Sequence, residues 1–211
     1  QDIIVPHLGH NMNAGLIESL IRSADEQIKT ARHAANETYD AWRSDCDVGE
    51  QGGAVPASGI TAGYAESIGD MATRMTNAGR LADVICMVRT PSEDTGYGEE
   101  ALIEAALLET GKPLVLVPGD SALETIKSIA IAWNGSVEAA RAVSAALHFL
   151  GEAEKVVVLE VEEAGKHGPS AEDVVGYLAK HGITASSRDI RASAGSVSDN
   201  LLAAVREEKV D

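Results

Sequence analysis

The sequence predicts an α/β protein with mostly parallel sheets, organised as two tandem doubly wound domains. Three observations lead to this fold class. Short aliphatic runs have the near-continuous apolar character of strands that are covered on both faces, helical patterns separate these runs, and parts of the chain recur at a nearly constant offset. Hydrophobic residues make up 45% of the 211 residues and aromatic residues only 3%, so we expect a core of Ala, Val, Ile and Leu.

Five short aliphatic runs are predicted to be strands, because each is apolar enough to be buried on both faces of a sheet. They are residues 2–5, 82–88, 113–118, 129–133 and 155–161. Cys86 lies inside the second run, where a free thiol is normally a small buried hydrophobe. Pro113 and Pro118 close the third run and are expected to stop further strand pairing.

Helices are predicted between these runs from the helical spacing of apolar residues and from residues typical of helix ends. Ser136 is expected to cap a helix that continues through Leu147. The other predicted helices are residues 25–44, 100–108, 170–180 and 196–208. Gly111 and Gly182 are expected to terminate the second and third of these, and Ser23 with Asp25 to begin the first. Alternating strands and helices predict right-handed βαβ crossovers.

Three pairs of segments recur in order along the chain, which indicates a duplicated domain. Their shifts lie between 123 and 128 positions. The pairs are 59–62 with 182–185, 3–9 with 129–135, and 82–83 with 210–211. The sequence therefore predicts two similar domains, residues 1–118 and 125–211, that pair within the chain and are joined by a linker at 119–124.

Two features of the repeat are irregular. The second copy stops at residue 211, where the repeat predicts entry into a central strand. The first copy has no aliphatic run that corresponds to 156–161, since its aligned stretch, residues 30–37, is polar and helix-like. A sheet without an inner strand would leave backbone groups unpaired. We therefore expect residues of the natural protein to be absent from this sequence, including its start, because the first residue is Gln rather than Met.

The charge and the cysteine content indicate which partners the protein avoids and in which compartment it is expected. The formal net charge is −16, from 33 acidic and 17 basic residues. An acidic surface repels nucleic acid and anionic membranes, so neither is an expected partner. No apolar stretch reaches membrane-spanning length. The two cysteines form no paired motif, which favours a reducing cytoplasm.

The strongest local candidate site is the segment Ala132, Trp133, Asn134, Gly135 and Ser136. It is predicted to contain the end of a strand, a tight turn and the start of a helix. Ligands of open α/β sheets bind beyond the carboxyl ends of strands, where helix N-termini present free N–H groups. Asn134 is placed to bond a polar ligand. A purely structural interpretation remains open, in which Asn-Gly forms a turn and Ser136 caps a helix.

The order of these segments resembles a universal stress protein domain. The corresponding segments are 132–142 (first strand and helix), 156–161 (second strand), 193–202 (third-strand exit and helix) and 114–118 (the closing fifth strand of the first copy). The resemblance covers most of the chain and is strongest from residue 82 onward. It implies five-stranded parallel sheets, tandem or homodimeric pairing and, in some members, ATP binding.

The resemblance also implies where an adenine nucleotide such as ATP would bind in the second domain. The site would comprise residues 132–136 and the backbone around Val161. ATP-binding members carry an acidic residue at the end of the first strand, and this chain has Asn134 there. The family's glycine-rich phosphate loop follows the fourth strand. Its pattern occurs nowhere in the given residues, and in the second copy its expected place lies beyond residue 211, so its absence there is not evidence against a site.

The first copy is expected to be degenerate. Its first strand ends near Leu8, which offers no hydrogen bond to a ribose or a base. Glu99 and Glu100 open the helix that follows its fourth strand, where carboxylates would repel phosphate. The sequence therefore predicts that any nucleotide site belongs to the second copy.

Two classes of function stay open. The resemblance favours a non-enzymatic stress-response or regulatory protein. The alternative is an enzyme or electron-transfer subunit of the wider nucleotide-binding α/β group, such as an ATP pyrophosphatase-type ligase or a flavoprotein. Such a ligase needs a Ser-Gly-Gly-x-Asp-Ser-like loop after its first strand, and residues 133–136 lack the second Gly and the Asp. His7 and His10 have no third ligand nearby, so no metal site is predicted.

Overall fold

The computed structural model describes residues 14–89, 97–119, 126–161, 168–191 and 195–211, which belong to two compact units. The first unit comprises the described parts of 1–82 and 91–112, and the second those of 83–90 and 113–211. The predicted strand at 2–5, His7, Leu8, His10 and most of the predicted linker lie outside the described residues. The division into similar copies at 1–118 and 125–211 stays a prediction.

The first unit is mainly helical in its described part. Its elements are α1 (Ala14–Asp45), β1 (Gly49–Glu50), β2 (Thr61–Ala62), α2 (Met71–Gly79) and α3 (Tyr97–Glu109). The short strands β1 and β2 pair in parallel. After β2, the chain packs on α1 through the rings of Tyr64 and Tyr39, whose centroids are 5.5 Å apart, and through an ion pair of 2.6 Å between Glu66 and Arg32.

Helix α1 begins at Ala14 rather than at residue 25, so the predicted start at Ser23 and Asp25 is wrong. Residues 15–22 include Leu, Ile, Glu and Arg, which favour a helix, and a serine in the middle of a helix costs only a few tenths of a kcal/mol in propensity. The polar stretch 30–37 is helical, as predicted.

The second unit contains parallel sheets and three helices in its described part. Its elements are β3 (Ile85–Arg89), β4 (Leu114–Pro118), β5 (Ser128–Trp133), α4 (Val137–Glu152), β6 (Lys155–Val161), α5 (Ala171–Lys180), β7 (Ser186–Ile190) and α6 (Val197–Glu208). Strands β3 and β4 pair with each other, and β5, β6 and β7 form a sheet in that order. All of these pairings are parallel, so the predicted α/β class with parallel sheets is confirmed.

Strand β6 is the centre of the three-stranded sheet, and its alternating residues build a core on each face. Val156 and Val158 pack with α4 and α5 on one face. Val157 and Leu159 pack with Ala204 of α6 on the other. The two crossovers from β5 to β7 therefore share a face, as right-handed connections in one direction require. Both faces of β6 are covered, as its continuous aliphatic run predicts.

Strand β3 is also an aliphatic run, but it is not buried on both faces. Cys86, which the sequence predicts to be buried, is exposed, and so is Val88. These residues alternate with the half-buried Ile85 and Met87. One face of β3 therefore remains open in the part of the chain that the structure describes, because an aliphatic run shows that a strand can be buried but does not supply the covering element.

Serine side chains cap the three helices of the second unit. Ser136, Ser170 and Ser196 each accept a hydrogen bond from the backbone three residues later, and the predicted cap at Ser136 is confirmed. Two of the caps are reciprocal, because Asp173 and Asp199 also accept from the backbone N–H of their cap serines. The predicted stops Gly111 and Gly182 have φ of 69° and 76°, a left-handed conformation that glycine adopts without strain.

The Asp199 cap makes stability depend on pH. Hydrogen bonds from the Ser196 backbone N–H and hydroxyl lower the pKa of Asp199. Its stabilisation is therefore complete above the unfolded-state pKa of about 3.9 and is lost as the pH falls through the folded-state pKa. Asp199→Asn should unfold at lower urea than the parent at pH 7, and the difference should narrow below about pH 4. A difference that is constant with pH would contradict this, and exposed Asp25→Asn serves as the control.

None of the helices that the structure describes is both long and apolar enough to cross a bilayer.

Candidate functional site

The turn between β5 and α4 is held by its own side chains. Asn134 Oδ1 accepts from Ser136 N–H at 3.0 Å, and Ser136 Oγ accepts from Ala139 N–H at 3.1 Å. Gly135 has a φ of 77°, which permits the tight reversal. The turn-and-cap interpretation is therefore confirmed. Asn134 is exposed, and within the described residues its Nδ2 group makes no hydrogen bond, so this amide remains a free donor.

The predicted site residues divide between the two faces of the sheet. Ala132 is opposite Leu159 in the β5–β6 register, which places it on the same face as Val161 and α6. Ala132 is exposed, whereas Val161 is buried. A small exposed residue beside a buried strand end leaves room for a ligand against the backbone. Ala132 and Val161 therefore border a common surface at the carboxyl edge of the sheet, next to Asn134.

Trp133 points to the opposite face. Only 7% of it is exposed, and it belongs to the core between the sheet and helices α4 and α5. Its indole Nε1 donates to the carbonyl oxygen of Pro169 at 2.9 Å. The ring is therefore not on the face that Ala132 and Val161 share.

The two helix N-termini at this edge differ in how many of their free backbone N–H groups already have an acceptor within the protein. At α5, the Glu160 carboxylate accepts from Ala171 N–H, and Asp173 completes the cap. At α4, the structure describes no acceptor for the N–H groups of Val137 and Glu138. An anionic ligand would be repelled at α5 by these carboxylates, whereas α4 still has N–H groups to donate.

The end of the chain lies beside β5. The carbonyl oxygen of Lys127 accepts from the backbone at the start of β6, whereas that of Ser128 accepts from Asp211 N–H at 3.1 Å. Asp211 therefore lies on the edge of β5 away from β6, and its carboxylate also accepts from Lys127 and Ser128 N–H. Helix α6, which leads to Asp211, covers the face opposite α4 and α5. The chain therefore returns from α6 to the edge of β5 that does not pair with β6.

The chain before α5 closes against the same turn. A Cβ atom on Gly168 would lie 3.0 Å from the Gly135 carbonyl oxygen, and Gly168 has a φ of 125°. Only glycine fits this close approach without strain. The contact between two glycines more than thirty positions apart fixes the turn that presents Asn134.

One charged residue at this edge is absent from the sequence predictions. Arg191 follows β7 directly and is exposed. Because the carboxyl ends of parallel strands meet at one edge, Arg191 lies on the same edge as Asn134. Because the sequence of β7 is polar, a search for aliphatic runs does not find this strand. Arg191 at its end is therefore not recognised from the sequence as a residue of this edge.

Comparisons with protein-family models, with curated proteins and with solved structures gave no match. Within the described residues, no three His, Cys, Asp or Glu side chains gather as metal ligands would.

Proposed function

We propose that this chain is a non-enzymatic regulatory protein of the cytoplasm that binds an adenine nucleotide at the carboxyl edge of β5 and β6. The observation that carries the proposal is the return of the chain from α6, on one face of the sheet, to the edge of β5 away from β6, while α4 and α5 cover the other face. A strand paired at that edge would make β5 a switch point, and the crevice at a switch point is the general binding place of open parallel sheets. The resemblance to universal stress proteins supports a site at the same edge, because some members of that family bind ATP.

The chemistry of the edge suits a nucleotide in three respects. Asn134 offers an amide donor to a ribose or a base. Ala132 leaves space against the strand backbone, next to the buried Val161. The N–H groups at the start of α4 and the guanidinium of Arg191 provide positive potential for phosphate. The carboxylate of Glu138, in the first turn of α4, opposes this and favours a weak site.

The first unit does not support an equivalent site. Glu99 and Glu100 occupy the first turn of α3, as predicted. Their carboxylates would repel phosphate at that helix N-terminus. We therefore assign the nucleotide to the second unit alone.

Calorimetric titration of ATP into the whole chain tests the proposal. Asn134→Leu should bind ATP about tenfold more weakly than the parent, because one hydrogen bond to the ligand is worth about 1.4 kcal/mol at most. Asn77→Leu, a matched change on the exposed surface of α2, should leave the affinity unchanged.

A second variant keeps the turn and changes the ligand contact from a donor to an acceptor. Asn134→Asp keeps an oxygen that can accept from Ser136 N–H, and its second carboxylate oxygen can accept from a ribose hydroxyl. It should retain ATP binding through that hydroxyl, because the ATP-binding members of the family that the chain resembles carry an acid at this position. An affinity that Asn134→Leu does not alter, binding that maps to the first unit, or an absence of ATP binding would each refute the assignment.

A further inference from the structure

Helices α4 and α5 enclose an apolar cleft on the face of the sheet opposite the proposed nucleotide site. Its volume is about 340 Å³, which lies near the lower end of the range of small-molecule sites, about 300–1,000 Å³. The lining is almost wholly apolar and includes Trp133, Ala140, Val143, Val174 and Tyr177. All of these residues belong to the second unit.

Aromatic rings form two walls of the cleft. The indole N–H of Trp133 is already bonded to the Pro169 carbonyl, so the ring meets the cleft as an apolar π surface. Tyr177, one helical turn after Asp173, is 37% exposed and adds a second ring. Aromatic faces attract cations as well as apolar groups.

One carboxylate lines this cleft, that of Asp173. Its Oδ2 accepts from the backbone N–H and the hydroxyl of Ser170, whereas the described residues make no hydrogen bond or ion pair to Oδ1. These bonds from Ser170 also lower the pKa of Asp173, so the group is anionic at neutral pH. Among the described residues, no Lys, Arg or His lines the cleft. The charge that the described residues place at the cleft is therefore negative, and the N-terminus of α5 offsets only part of it.

We infer that the cleft between α4 and α5 binds a small amphipathic ammonium ion, with its ring against Trp133 and Tyr177 and its charge beside Asp173 Oδ1. Shape and charge agree on this class of ligand. The apolar walls accept an aromatic or branched aliphatic body, and the carboxylate attracts a cation and repels an anion. The net charge of −16 also raises the local concentration of cations. This site does not depend on the proposed nucleotide site.

Trp133 reports directly on the cleft. The chain has two tryptophans, Trp42 and Trp133, so Trp42→Phe leaves one fluorophore. Three probes of similar size are titrated into this whole chain: phenethylamine, neutral 2-phenylethanol and anionic phenylacetate. We expect saturable changes in Trp133 fluorescence that are strongest for phenethylamine, at about millimolar dissociation constants for so small a ligand, and weakest for phenylacetate.

Two variants in the Trp42→Phe background assign the contacts. Asp173→Asn removes the charge but keeps an oxygen for the Ser170 cap, and should weaken phenethylamine about fivefold while leaving 2-phenylethanol unchanged. Ala140→Leu fills the cleft from an exposed position and should abolish binding of both. Ala142→Leu, exposed on the same helix but outside the cleft, is the matched control.

The inference fails on any of the following results. One is the absence of a saturable Trp133 response to phenethylamine in a chain with unchanged circular dichroism. Another is equal affinity for the ammonium, hydroxyl and carboxylate probes. The third is binding that survives Ala140→Leu or that Asp173→Asn weakens equally for phenethylamine and 2-phenylethanol.

Discussion

Leu178→Ala is expected to lower the free energy of unfolding of the second unit by about 3 kcal/mol, within the range measured for buried Leu→Ala changes. Leu178 lies in α5, is fully buried and packs in the core formed with Leu150, Val156 and Val158. The substitution removes apolar contact and leaves a cavity, because the sheet on one side and the helix backbone on the other limit collapse. Urea unfolding followed by Trp133 fluorescence in the Trp42→Phe background measures the change.

The control for this substitution is Leu202→Ala in α6. Leu202 is 53% exposed, so the same truncation should change the free energy of unfolding by about 0.5 kcal/mol or less. Similar losses for Leu178→Ala and Leu202→Ala would show that the core is not centred between α5 and the sheet.

Gly168→Ala should destabilise the second unit by about 2 kcal/mol, since backbone strain of this kind costs about 1–3 kcal/mol. Two independent effects act at this position. A φ of 125° is strained for any L-residue, and the added Cβ would lie 3.0 Å from the Gly135 carbonyl oxygen. To relieve that contact, the β5–α4 turn must move. We therefore expect Gly168→Ala also to weaken any ligand that Asn134 binds. Thermal unfolding and the ATP titration measure the two effects.

Gly176→Ala provides a control of opposite sign. Gly176 lies in the middle of α5, and a Cβ there would meet no atom within 4 Å. Replacing a helical glycine with alanine stabilises by about 0.5–1 kcal/mol. If Gly168→Ala were as stable as the parent, the close approach between the β5–α4 turn and the segment before α5 would be wrong.

Local signals in the sequence were sufficient wherever the structure depends on neighbouring residues. The aliphatic run at 155–161 predicts strand β6 with its observed bounds. The serine cap at 136 and the glycine stops at 111 and 182 are correct, because a cap or a stop involves only the few residues around it. The strands predicted at 129–133 and 155–161 pair directly with each other.

The search for aliphatic runs missed strand β7, although the family resemblance implies a third strand that ends before residue 193, because long-range contacts stabilise β7. Its sequence, Ser-Ser-Arg-Asp-Ile, has no apolar alternation. It pairs with β6 on one side, and its central Arg188 forms ion pairs with Glu207 and Glu208 of α6. A pattern within five residues cannot predict ion pairs with side chains about twenty positions away.

The sequence by itself determined the α/β class, most helix ends and the position of the β5–α4 turn. Only the tertiary structure decided which groups at that turn are available to a ligand. It directs Trp133 to one face and Ala132 to the other, uses Glu160 to occupy the start of α5, and brings Gly168 onto Gly135. These outcomes depend on strand register and on contacts between segments distant in the chain, whereas a cap, a turn or an apolar run is a property of a few consecutive residues.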